Sequence, residues 1–600
     1  MARLGLSERV QIASVRARGL RRTTLARVLG ASARTWTLSG TLKPLVVIPQ
    51  DLRPTDPSFW SELESGHFGL SGAVVFLDGR SPFEVSPTND LWLRDLHGFS
   101  WLRHLAACEN ASAAGVARGY VLGWLRGEGQ ALQRSVGAQP AVRARRVMSW
   151  IAHAPFILDG ASATEFDTFL RGLTREVSQL AARRRDAAQG YDRLLVLTAL
   201  VLAELATEGP ERRLYAAASR LDAEIERQIL PDGGHISRNP AVLIELLLDW
   251  LPLRACFGAR GDANHETVAV AIVRMLALLR FIRLGDGGVA RFNGMTVGDP
   301  AGLATLLGSD DRPAPKWTVA PQSRYARLNQ GTTTVLADTG SPAPLMYSHA
   351  AHAGCLSMEV SAGTCLLFVN AGAPGPSDEG WRAAARATAS HSTLVAGEQS
   401  SSQLVRHAGL EAMLGAVPLQ QPANVTARVD ASDDGLQLEA SHDGYLERLG
   451  IIHRREIALS ADGNRLAGTD RLETRGDRLK RDVPFAIHFH LHPDATCTPM
   501  PDGGSHLIRL ADGQHWQFTA SGTGGMVSTG LEESTYFAGS LGPRHSLQLV
   551  VRGATGGESS ASWVVTRVDR SIMPASSQVD PLHCPSPGTG EGGRRPDEGL

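Results

Sequence analysis

From about residue 80 to 305, apolar side chains recur at i, i+3, i+4 and i+7, the period of a helix with one buried stripe. The pattern repeats through LWLRDLHGFSWLRHLAACEN, GVARGYVLGWLRGEG, VRARRVMSWIAHAPFIL, YDRLLVLTALVLAELATEG, ERRLYAAASRLDAEIERQIL, NPAVLIELLLDWLPLRACF and HETVAVAIVRMLALLRFIRLG. Gly, Pro or polar clusters separate the segments, so consecutive helices turn back on one another as antiparallel hairpins. No fixed-period repeat runs through them, which disfavours a regular helical solenoid. From about residue 320 to 568 the period changes to two. Short runs such as TTTVLADTG, CLLFVNAG, GIIHRREIALSADGNRLAGTDRL, FAIHFHLHP and HSLQLVVRG alternate apolar and polar positions and end in Gly, Asp or Asn turns. Helices first and strands afterwards predict two packed domains, the second a large antiparallel β-sandwich. The join falls near GDGGVARFNGMTVGDPAG.

The expected division is a basic, loosely attached segment over 1–45, a helical domain over 46–305, an antiparallel β domain over 320–570 and a disordered tail over 571–600. The tail is rich in Pro, Gly and Ser and has little to bury. The first thirty residues are Arg-rich and amphipathic but have neither a continuous apolar run nor a small-residue cleavage site, so no secretory signal is expected there. No run reaches the roughly 18–20 apolar residues that span a bilayer.

Composition adds little direction. The chain has 600 residues and a net charge of −1, so no global field steers an anionic partner. Lys stands only at Lys43, Lys316 and Lys480; Arg carries nearly all the positive charge. Cys108, Cys256, Cys355, Cys365, Cys497 and Cys584 are scattered, with no CxxC, which argues against a disulfide framework or a cysteine metal site.

Two clusters carry candidate chemistry. The first is the turn Pro231-Asp232-Gly233-Gly234-His235-Ile236-Ser237-Arg238-Asn239-Pro240. Asn239 reads as a helix N-cap and Pro240 as the first helical residue. As a capped turn it is complete, yet it also presents His235, Arg238 and Asn239 together, a set able to hold a sugar carboxylate. The second runs from His349 and His352 through Asn370 to His391. Two histidines and an Asn on neighbouring strands are compatible with a metal site or with buried rings bonded to backbone carbonyls. On Ile487–His492, strand alternation puts His488, His490 and His492 on one face. The GDGG at 285–288 reads as a turn, lacking the Lys-Ser/Thr of a phosphate loop.

Taken in order, QILPDGGHISRNPAVLIELLLDWLPL, HAGCLSMEVSAGTCLLFVNAGAP, RAAARATASHSTLVAGEQS, HDGY, FHLHP and LEESTYFAG resemble the heparinase II/III family over most of residues 90–550. That resemblance implies an incomplete (α/α) toroid followed by an antiparallel β-sandwich. It also implies a polysaccharide lyase that cuts heparin-, heparan- or alginate-like chains by β-elimination at a uronic acid, usually in the cell envelope. A polar group neutralises the uronate carboxylate; a Tyr or His takes the C5 proton and another protonates the leaving oxygen. No organic cofactor is required. Carried onto this chain, the catalytic candidates are His235 and His352, with Tyr191 able to supply a phenol from a different position, and the substrate contacts are Arg238, Asn239, Arg386 and Trp381. The zinc that some members hold in the β domain falls on His352, Asn370 and His391. The chain departs from the family at four places: Val242 and Leu243 stand where a Tyr-His pair is expected, Ala350 stands where a catalytic His is expected, GYDRL around Tyr191 and Asp192 stands where an Asn-His pair is expected, and Asn370 replaces an Asp. A noncatalytic glycan-binding or envelope protein on the same scaffold is the second expectation. A glycoside hydrolase is the third and would need two facing carboxylates, with Asp192, Asp232 and Glu359 as candidates.

Overall fold

The computed structural model describes residues 44–568 apart from 86–88, 109, 262–264, 297, 376–378, 406–415, 475–481, 524–526, 540–541 and 556–558. The basic N-terminal segment (but for its last two residues) and the Pro/Gly/Ser tail lie outside the described residues. The helical half contains α1 (Asp90–Gly98), α2 (Ala111–Arg126), α3 (Pro140–Ala152), α4 (Ala163–Arg183), α5 (Tyr191–Ala206), α6 (Glu211–Gln228), α7 (Pro240–Ala259) and α8 (Glu266–Phe281). Their composition sorts them into layers. α5 and α7 are apolar on nearly every face and bury most of their residues between Leu194 and Ala206 and between Leu243 and Phe257. α6 is charged and buries only Ala218, Leu221, Glu224, Ile225 and Gln228. A helix apolar all round needs neighbours on every side, and an amphipathic one needs them on a single side. The result is the inner and outer layering of an incomplete toroid. Trp250 of α7 donates to Thr198 Oγ1 of α5 at 2.9 Å, so the buried indole N–H is satisfied.

The β half is two eight-stranded antiparallel sheets packed face to face. One runs, in spatial order, Ser528–Tyr536, Arg544–Ala554, Pro484–Leu491, Cys365–Val369, Met358–Ala362, Thr333–Asp338 and Tyr325–Gln330, with Leu394–Ala396 paired beside Pro484–Leu491. This sheet faces the toroid. The other runs from Val425–Ser432 through Gly435–Tyr445, Ile451–Ser460, Arg465–Thr474, Ser559–Val568, His515–Thr523 and Ser505–Arg509 to Thr496–Pro499. Between them lies a core of Phe368, Phe489, Phe518, Ile457, Val551 and Trp563.

The two halves are stitched by polar groups from the toroid's returning loops. Asp232 accepts from the backbone N–H groups of Gln322 (2.8 Å) and Ser323 (2.6 Å). Arg327 donates to the carbonyls of Phe281 (2.9 Å) and Arg283 (2.6 Å). The turn at Gly233 has φ 89°, and a Cβ there would stand 2.0 Å from the Arg274 carbonyl oxygen, so only Gly allows the turn to sit against α8.

Candidate functional site

Helices α5 and α7 begin at the face of the toroid turned toward the β domain. Behind these starts, between the first residue of α5 and the middle of α7 and α3, lies a lattice of paired charges. Arg145 of α3 grips Asp249 with both Nη atoms, at 2.7 and 3.0 Å, and its Nη2 also donates to the Tyr191 hydroxyl at 2.7 Å. Arg53 donates to Asp249 Oδ1 and to Glu245 Oε2, both at 2.9 Å. A small cavity of about 40 Å³ adjoins this lattice, lined by Arg53, Arg145 and Asp249 on one side and Met148, Leu202 and Leu253 on the other. The Tyr191 phenol is therefore an acceptor for a guanidinium, and burial holds its pKa above the ordinary value.

The DGGH turn delivers its residues into the protein. His235 Nδ1 accepts from the Ser237 amide at 3.1 Å and lies 2.7 Å from the Ser237 hydroxyl. That leaves Nε2–H to donate to Gln228 Oε1 at 2.7 Å. The ring is 1% exposed and burial lowers its pKa to about 3. Arg238 sits at φ 59° and turns its guanidinium onto the carbonyls of Ser323 and Gly340 and onto Asp338, over the Tyr325 ring. Asn239 caps α7 through Ala241 N (2.9 Å), as its position in the sequence predicts. Of the expected substrate contacts, Arg386 spends its guanidinium on the carbonyls of Ala351 and Ala416, while Trp381 is 50% exposed with its ring against Phe537. At the departures from the family, Val242 is half-buried, Leu243 is buried and Ala350 is exposed, its carbonyl oxygen close against Gly294. The hydrolase candidates separate in the same way. Asp232 and Glu359 carboxylates are filled by backbone N–H donors. Asp192 faces the charges of Arg94 and His349, and burial raises its pKa.

His352 and His391 do come together. His391 Nδ1–H donates to the Ala387 carbonyl at 2.8 Å, so its Nε2 lone pair accepts the His352 Nδ1–H at 3.0 Å. Asn370 Oδ1 accepts the Ser392 amide at 3.0 Å, and its buried Nδ2 has no partner among the described residues. Zinc needs several lone pairs converging on one point and gains most from anionic ligands. Here one imidazole lone pair is spent on the other ring and the amide oxygen is spent on backbone, so the donor set does not fit zinc. Chelator treatment is expected to leave the melting temperature unchanged. Asn370→Asp restores an anionic donor and is expected to make melting zinc-dependent. A stoichiometric zinc in the purified wild-type chain, lost together with stability on chelation, would contradict this.

Burial lowers the pKa of His235 and His490 to about 3 and of His391 to about 4, against 6.5 in an open chain. The unfolded rings take up protons that the folded rings refuse. This stabilisation is complete above pH 6.5 and is lost on acidification toward 4, by up to roughly 1.4 kcal/mol per unit per ring. The urea midpoint is expected to fall steadily between pH 7 and 5; a flat profile would show that these rings are protonated in the fold.

A second buried network lies in the outer sheet and begins at His442 of the HDGY motif. His442 Nδ1 accepts Gly444 N–H, and its Nε2–H points to His453 Nδ1 at 3.2 Å. His453 Nε2–H then reaches Asp470 at 2.7 Å. Arg455 holds both Asp470 oxygens, at 2.7 and 3.1 Å, and donates to the carbonyls of Leu356 and Ser392. Those two carbonyls belong to the loops that carry His352 and His391, so the network fixes that pair from behind.

Comparison with known proteins agrees with this architecture. The profile of the heparinase II/III-like C-terminal family matches residues 312–564. The FtsZ-localized protein C of Caulobacter vibrioides is 30% identical over 532 residues, 87% of this chain and 90% of that protein. Among solved structures, heparinase III superposes with a TM-score of 0.67 at 12% identity, covering 93% of this chain and 92% of its own. A heparan sulfate lyase mutant from Pedobacter heparinus gives a TM-score of 0.59 at 15% identity, with 93% and 91% covered. With the toroid, the double sheet and the ordered motifs in place, the chain belongs to the heparinase II/III family.

Proposed function

We propose that this protein is a division-associated, noncatalytic member of the family that uses the cleft between its two domains to hold acidic glycan. The observation that carries this reading is the condition of the proton-transfer positions. β-Elimination needs one group to take the C5 proton and another to protonate the leaving oxygen. Val242, Leu243 and Ala350 supply neither. Tyr191 is bound to Arg145, and His235 is bound at both nitrogens with a pKa near 3. The association with division is supported by the near full-length similarity to FtsZ-localized protein C, whereas the lyases share the fold at 12–15% identity. The test is cosedimentation of the full chain with FtsZ polymers, together with the position of a fluorescent fusion in dividing cells. Enrichment in the polymer pellet and at the division site is expected; a fusion evenly spread through the cell and a chain left in the supernatant would reject the association.

A second reading, a lyase of uronic-acid polysaccharide of the heparin, heparan or alginate kind, is favoured by one specific observation. His349 is exposed one residue from the expected His position and within the electrostatic reach of Asp192 at the start of α5. On the same loop, the Tyr347 ring packs against Gly190, 3.7 Å from where its Cβ would be. On that reading turnover disappears in His349→Ala and falls in Tyr347→Phe, while His235→Gln leaves the rate unchanged.

A further inference from the structure

Where the loop after α8 meets the toroid-facing sheet, two buried donors without acceptors of their own, Arg291 and Tyr536, stand together with the ring of His492. Arg291 follows α8. Tyr536 ends the strand Ser528–Tyr536. His492 follows the strand Pro484–Leu491. The Arg291 guanidinium lies 5.7 Å from the Tyr536 ring centre, and the His492 and Tyr536 rings are 5.3 Å apart, edge to face. The Arg291 side chain is 14% exposed, yet its buried Nε and Nη1 have no hydrogen-bond partner among the described residues. The Tyr536 hydroxyl is equally unpartnered in a residue 3% exposed. A buried guanidinium or phenol left without an acceptor is costly, and folded proteins rarely keep one without a use for it.

The neighbouring carboxylates do not fill this role. Glu359 accepts from the backbone N–H groups of Asn370 (2.8 Å) and Arg291 (2.9 Å). Asp286 accepts Gly288 N–H at 2.9 Å and comes no nearer to Arg291 than 3.9 Å. Asp494 is held by Arg544 at 2.6 Å. Asp494 also lies 3.4 Å from His492 Nδ1, which accepts its backbone N–H, so His492 is partnered while Arg291 Nε and Nη1 and the Tyr536 hydroxyl are left without acceptors among the described residues. What is missing is a ligand that brings several lone pairs, as an oxyanion does. The place suits the cleft as well: two residues beyond Arg291, Asn293 is tied to Asp338, and Gly294 touches Ala350.

We propose that Arg291, Tyr536 and His492 form a subsite for one oxyanion group, the carboxylate or sulfate of an acidic saccharide lying along the cleft. The identity of the carrier rests on the glycan-binding reading above; the subsite itself does not depend on association with FtsZ. Arg291 grips the oxyanion through its nitrogens, the Tyr536 hydroxyl donates to a second oxygen, and His492 closes the edge.

Isothermal titration of the full chain with D-glucuronate, inorganic sulfate and, as a neutral control, D-glucose tests this directly. Glucuronate or sulfate is expected to bind saturably and glucose not to bind. Binding by glucuronate alone assigns a carboxylate site; binding by both assigns a general oxyanion site. Arg291→Met is expected to weaken binding by about tenfold or more, and Tyr536→Phe by a few-fold. Because the Tyr536 hydroxyl has no partner, Tyr536→Phe is expected to leave the melting temperature unchanged or raised, which a purely structural role for that hydroxyl would not give. Equal affinity in wild type and both variants overturns the subsite. Absence of saturable binding by either anion overturns it too, even where whole polysaccharide binds elsewhere on the protein.

Discussion

Asp470→Ala is expected to destabilise the β domain by about 3–5 kcal/mol, the range for removing one partner of a buried ion pair. Asp470 is 1% exposed and is the shared acceptor for Arg455, His453 and Trp563. Without it, the Arg455 guanidinium stays buried with only the carbonyls of Leu356 and Ser392, and the His453 and Trp563 N–H groups lose their acceptor. For a unit of this size the loss corresponds to a melting transition lower by roughly 6–20 °C. Thermal melting of the purified variant checks this, and a shift within a degree or two would show that the network is dispensable. Replacing Arg455 and Asp470 together by Met and Leu is expected to cost less than Asp470→Ala, since no charge is then left unpaired.

Arg238→Ala carries the second large effect, at the joint between the domains. The side chain is 8% exposed and bonds Asp338, the Ser323 carbonyl and the Gly340 carbonyl while covering the Tyr325 ring. Removing it leaves the buried Asp338 carboxylate without its counter-charge, held only by the neutral donors of Asn293 and Gly340, and opens a gap over Tyr325. A loss of about 3–5 kcal/mol is expected, again from an uncompensated buried charge. The loss should appear as earlier separation of the toroid from the sheet. Protease cleavage between residues 309 and 325 at a temperature where the wild type resists is the readout. A variant as resistant as wild type would show that Arg238 does not hold the joint and would return it to the ligand-binding candidates.

The switch from helical to alternating periodicity locates the two folds because each period reports one kind of buried surface. The capped turn at Asn239-Pro240 was legible for the same reason: a local backbone need is met by local residue types. The strand alternation also contains the outer network. In IIHRREIALS the inward positions are Ile451, His453, Arg455 and Ile457, and in RLAGTDRLET they are Leu466, Gly468, Asp470 and Leu472. Arg455 and Asp470 stand directly opposite in the register. A charge at an inward position in each of two strands is a readable sign of a buried pair, but it does not say which strands are neighbours. The arrangement of the charge lattice was not legible. Arg53, Arg145 and Asp249 lie on three distant segments, and nothing local to any of them marks the lattice. Arg238 reads as an anion ligand because its turn also presents His235 and Asn239, and Arg386 because the family resemblance carries a substrate contact there. Their backbone-carbonyl partners carry no sequence signal at all. The convergence of Arg291, Tyr536 and His492 likewise exists only once the sheet order is known.

The family frame and the closed proton-transfer positions meet in one experiment. The full-length protein is incubated with heparan-, alginate- and glucuronan-type polysaccharides while near-ultraviolet absorbance is followed for the unsaturated sugar left by β-elimination, and binding of the same polymers is measured alongside. The expected result is a flat absorbance trace with at least one acidic polymer bound. Rising absorbance that disappears in His349→Ala would contradict the noncatalytic reading and place the chemistry on the rearranged loop.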